Sequence, residues 1–71
     1  MNITELIRRY RWISTDKNGG IYVYAKKPRK CKSTWRTRTY ENFEEITIEQ
    51  ALLLCDRIPM WDDTEPTRVK R

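Results

Sequence analysis

A chain of 71 residues is one domain or part of one, and a domain of that size buries only about 60% of the surface its unfolded chain exposes, which argues against a deep enclosed active site. Its composition, 38% hydrophobic and 35% charged, is polar but foldable, and the net charge is +5. Histidine is absent, which excludes histidine general bases, Ser-His-Asp and Cys-His arrangements and histidine-containing zinc sites.

The first ten residues carry Ile3, Leu6, Ile7 and Tyr10 at helical spacing, with Asn2 placed as N-cap. A helix this short persists only if it docks. RWIST and IYVYA then flank DKNGG. The outer segments are β-branched and aromatic, and the middle is rich in turn formers, which predicts a β-hairpin with strands near 11–15 and 21–27. Pro28 ends the second strand's pairing. PRKCKS reads as a basic loop, and TWRTRTY as a third strand near 34–40. EEITIEQALLLCDRIP reads as a helix, with Thr47 and Gln50 as a capping box and Glu44, Glu45 and Glu49 at or near its start. Ile48, Ala51, Leu52 and Cys55 form its predicted buried stripe, widened by Leu53 and Leu54, and Pro59 stops it. The segment beyond Pro59 is expected to be irregular, with Trp61 folded back on the core. The expected fold is α+β: a three-stranded antiparallel sheet, a C-terminal helix packed on one face and a short N-terminal helix. Residues 1–65 form the single small domain and 66–71 a frayed basic tail.

Strand parity separates two faces. Ile21, Val23, Ala25, Trp35, Thr37 and Thr39 share one, expected under the leucine-rich helix. Tyr22, Tyr24, Lys26, Arg36, Arg38 and Tyr40 share the other. Aromatic rings interleaved with guanidinium groups suit an acidic protein or a nucleic acid. The plain alternatives are a solvated sheet face of Arg stacked on Tyr, or tyrosines covered by the N-terminal helix. Residues 1–40 hold 11 Lys/Arg against Glu5 and Asp16, whereas 41–65 hold 8 acids against Arg57. This polarity points to an acidic partner or to mutual surface pairing.

Chemistry has few candidates. Cys31 lies between Lys30 and Lys32, which favours a thiolate. Cys55, in LLLCDR, reads as a small buried hydrophobe. The pairs Glu44/Glu45 and Asp62/Asp63 read as capping or surface charges rather than an acid–base dyad. No enzyme, cofactor or metal site is expected. No apolar run approaches the ~20 residues of a membrane span, and the first ten residues lack a signal peptide's apolar core. The expected location is therefore cytoplasmic, with reduced thiols.

Residues 12–28, WISTDKNGGIYVYAKKP, resemble a segment of small bacteriophage proteins, roughly W-x-x-T/S-D-x-x-G-x-I/V-Y-x-Y/F-x-x-K-P. Trp12, Asp16, Gly19 or Gly20, Tyr22, Tyr24, Lys27 and Pro28 carry the match, with Trp35 as the later tryptophan. The resemblance implies a phage or prophage setting, inside an infected or lysogenic bacterial host, in which such proteins often block a host protein such as CRISPR or other defence machinery. The three-strand-plus-helix order also resembles the DNA-reading N-termini of some phage integrases, which lay a sheet in the major groove. The leading expectation is a non-enzymatic inhibitor of a host protein, including one that itself binds nucleic acid. Its contacts would be Tyr22, Tyr24, Arg36, Arg38 and Tyr40, with Lys26, Lys27, Arg29 and Lys30 at the rim. The alternative is a double-stranded DNA binder using the same face, and a third is a homodimer through exposed sheet edges.

Overall fold

A computed structural model describes residues 2–37 and 42–70. Helix α1 spans Ile3–Arg9; the Asn2 side chain accepts from the Glu5 N–H at 2.9 Å, and Arg8 and Arg9 close its last turn. Strands β1 (Trp12–Thr15) and β2 (Ile21–Tyr24) form the expected hairpin, pairing Ile13 with Val23 and Thr15 with Ile21. The turn closes by Asp16 N–H to the Gly20 carbonyl (2.8 Å) and Gly19 N–H to the Asp16 carbonyl (2.9 Å), and needs φ +92° at Gly19.

The next segment departs from the expected third strand. β3 (Arg29–Lys30) and β4 (Trp35–Arg36) form a separate two-stranded ribbon, its tip closed by Cys31 N–H to the Thr34 carbonyl at 2.7 Å. The third sheet strand is instead β5 (Phe43–Ile46), antiparallel to β2 with Tyr22 opposite Glu45. Glu44 and Glu45 therefore lie in a strand, and only Glu49 occupies the first turn of α2 (Ile48–Leu54). The Thr47–Gln50 capping box forms as expected. α2 is not the last element. β6 (Thr67–Arg68), in the tail expected to fray, pairs with β1, and Val69 is buried behind it.

The fold is α+β, with a four-stranded antiparallel sheet ordered β5-β2-β1-β6. Both helices take part in the core on one face: Leu6, Ile13, Val23, Ala51 and Leu54 are fully buried there, with Ile46, Cys55 and Val69 around them. The buried stripe of α2 is Ala51, Leu54 and Cys55, whereas Ile48, Leu52 and Leu53 are exposed at 59%, 58% and 64%. Leu52 is thus a surface residue. All but two of the seven α2 positions are apolar, so hydrophobicity alone does not fix which stripe faces inward.

Candidate functional site

The face of the sheet away from the helices carries Trp12, Ser14, Tyr22, Tyr24, Phe43 and Glu45 by register. It is not open. Trp35 from the ribbon lies against it, only 4% exposed. Three hydrogen bonds pin this tryptophan: its main-chain N–H donates to Asp16 Oδ1 (2.9 Å), its indole Nε1–H donates to the Thr15 carbonyl (3.1 Å), and its carbonyl accepts from the Tyr24 hydroxyl (3.2 Å). Tyr24 is 3% exposed, and burial pushes its phenol up to about 12 against a weaker pull from the Ser14 hydroxyl. The Ser14 hydroxyl itself is buried without a hydrogen-bond partner of good geometry.

Asp16 is also buried, and desolvation raises its carboxyl above the ordinary carboxylate range; the Trp35 N–H and the Arg36 charge oppose this. A carboxyl with a raised folded-state pKa favours folding most when protonated, and that contribution is lost as pH rises through the folded value. Asn at this position keeps an oxygen for the Trp35 N–H and carries no charge. Asp16→Asn should therefore lose stability relative to the wild type as pH falls from roughly 7 towards 3, and gain relative to it as pH rises. Urea unfolding of both proteins across that range measures the difference. A difference independent of pH would show that Asp16 titrates as a solvated carboxyl.

Of the residues expected to form one gripping face, Tyr22 is half-buried and Tyr24 is buried. Tyr24 stacks on Phe43 and Tyr22 makes tilted ring contacts with both, at centroid separations of 6.2–6.5 Å. Tyr24 is thus a core residue of the ribbon–sheet layer, because Trp35 covers it. Arg38 and Tyr40 lie outside the described residues. Lys26 is exposed and engaged in interactions of its own. Lys27 pairs with Glu65 at 3.4 Å and sits over the Trp12 ring at 5.6 Å, with Arg68 also packed on that ring at 5.2 Å. Lys30 is inward-tied as well: its ammonium lies 4.4 Å from the centre of Trp61 and 5.8 Å from that of Trp35, and donates to the Asp63 carbonyl at 3.1 Å. Asp63 fixes that loop: its carboxylate accepts from the Met60 N–H and from Arg57, and both interactions hold it below the ordinary carboxylate range.

What remains outward is the far side of the ribbon. Period-two alternation puts Lys30 and Trp35 towards the sheet and leaves Arg29 and Arg36 directly opposite one another on the outer side, both exposed. Like charges in that cross-strand register repel, with Cβ atoms about 4.5–5.5 Å apart. The Thr34 hydroxyl accepts from Arg36 Nε at 3.2 Å and orients that guanidinium without neutralising it. Lys32 stands at the tip, and Lys17 joins it because its N–H donates to the Ser33 carbonyl at 3.1 Å. Lys17 and Lys32 are not among the contacts expected from strand parity. The signal that points to them is simple: residues 17–40 hold eight Lys/Arg and no acid.

Elsewhere, three cations are paired with carboxylates. A shallow groove between residues 55–57 and 67–70 contains Lys70 paired with Asp56 (2.8 Å), while neighbouring Arg57 pairs with Asp63 (3.3 Å). Among the described residues no group of three metal-ligating side chains forms, and no helix is long and apolar enough to cross a membrane. Both cysteines are free, Cys31 exposed and Cys55 buried. No family model, curated protein or solved structure matches the chain.

Proposed function

We propose that this is a small non-enzymatic binding protein that grips a polyanionic partner with the outer side of the ribbon hairpin. The observation that carries the reading is the Arg29–Arg36 pair, held in like-charge register with neither arginine in an ion pair among the described residues. Such a pair costs stability in the free protein and is relieved by a shared anion. Lys17 and Lys32 extend the same surface to the hairpin tip.

Retention on immobilised heparin tests the reading. Lys17→Gln with Lys32→Gln should elute at clearly lower salt than the wild type. Arg8→Gln with Arg9→Gln removes the same net charge from α1 and should shift elution little. Equal shifts would mean that overall charge, not the ribbon, governs retention.

A second reading, an inhibitor docked on a host protein in a phage setting, is favoured by a different feature. Ile48, Leu52 and Leu53 leave an apolar stripe on α2, with Met60 also exposed, of the sort that protein partners cover. If this reading holds, Leu52→Ser would abolish capture of a host protein from nuclease-treated lysate, and the Lys17/Lys32 variant would not.

A further inference from the structure

Resting on the polyanion reading, we infer that the partner is B-form duplex DNA, with the ribbon hairpin as the element entering its major groove and Arg29 and Arg36 as its phosphate contacts. Three observations favour a duplex over a single strand. Single-stranded nucleic acid is held by base stacking on exposed aromatic rings. Here the tryptophan rings are already engaged: Trp35 is buried, Trp61 is capped by Lys30, and Trp12 has Lys27 and Arg68 packed against it. Among the described residues, the outer side of the ribbon carries no ring.

Shape is the second. The major groove of B-DNA, about 12 Å wide, admits a two-stranded β-ribbon, whereas the A-form major groove is too narrow for side chains to read. The hairpin is two short strands around a tip at Lys32 and Ser33. It is braced from behind by the Trp35 hydrogen bonds, so it is presented already ordered.

Charge is the third. The cations on this surface stand at both the flank and the tip of the hairpin. Arg29 and Arg36 are in addition forked donors suited to phosphate oxygens, one of them oriented by Thr34. With these cations assigned to phosphates, binding is by backbone charge and shape rather than by sequence.

Fluorescence anisotropy with a labelled random-sequence DNA duplex, its isolated single strand and the matching RNA duplex tests the assignment, titrated between ~50 and ~200 mM salt. Four phosphate contacts, from Arg29, Arg36, Lys17 and Lys32, predict a log–log salt slope of about −3.6 on duplex DNA. Arg29→Gln with Arg36→Gln should reduce the slope by about 2 while the circular dichroism spectrum is unchanged. Cys31 gives an independent readout. It shares the outer side of the hairpin, so saturating duplex DNA should slow its reaction with a thiol reagent several-fold. Equal or tighter binding of the single strand or the RNA duplex overturns the duplex-DNA assignment and leaves the polyanion reading standing. An unchanged slope in the arginine variant, or unprotected Cys31, overturns the placement on this hairpin. Failure to bind any nucleic acid or heparin removes the polyanion reading itself.

Discussion

Leu54→Ala should cost about 2–5 kcal/mol, while Leu52→Ala, two positions earlier on the same helix, should stay within about 0.5 kcal/mol of the wild type. Leu54 is fully buried between α2 and the sheet, and Leu52 is more than half exposed. Removing the Leu54 side chain loses its transfer free energy and leaves a cavity in a core built from few large residues. Small domains sit near the low end of the usual 5–15 kcal/mol stability range, so the loss is a large fraction of the total. Urea unfolding followed by far-ultraviolet circular dichroism measures both variants. Comparable losses at the two positions would mean that α2 is rotated about its axis so that Leu52 also faces the sheet, or that Leu52 is covered in solution by a second molecule. A concentration-dependent midpoint would identify the second case.

That contrast also marks where local sequence patterns run out. The Asn2 cap, the β1–β2 hairpin and the Thr47–Gln50 box are specified by residues within a few positions of each other, and all three form. The inward stripe of α2 is not specified locally, because Ile48/Ala51/Leu52/Cys55 and Ala51/Leu54/Cys55/Ile58 both satisfy helical spacing. FEEI resembles an acidic helix start, and only its pairing with β2 makes it a strand. Thr67–Arg68 is too short to carry a strand signal of its own, and β1 recruits it across more than fifty positions of chain. Parity separates the sides of the sheet correctly: Ile21 and Val23 lie in the helix-side core, and Tyr22 and Tyr24 lie opposite. Alternation says that two faces differ; it does not say what covers each. Here a second layer, centred on Trp35, occupies part of the face expected to meet solvent, and the facing Arg29 and Arg36 lie on the outer side of that layer.

Trp35→Ala should detach that layer. The expected cost is about 3–5 kcal/mol, falling on the ribbon before the helix-side core, since Trp35 and Tyr24 do not belong to the cluster formed by Leu6, Ile13, Val23 and Leu54. Near-ultraviolet circular dichroism should collapse while much of the helical far-ultraviolet signal survives. Tyr24 reports the event directly. Its folded-state phenol lies at about 12 because it is buried under Trp35. An acid raised in this way stabilises the docked state fully below its ordinary value near 10 and ceases to do so as pH climbs through the raised one. In Trp35→Ala the phenol should titrate near its ordinary value in a spectrophotometric alkaline titration. Trp35→Phe keeps most of the ring but leaves the Thr15 carbonyl without its indole partner, an intermediate loss of about 1–3 kcal/mol. Affinity for a polyanion should fall in the alanine variant although no cation has been removed, because a loose hairpin must be reordered on binding. If Tyr24 still titrates as a buried phenol in Trp35→Ala, the sheet itself rather than the ribbon shields it, and the bracing assigned to Trp35 is wrong.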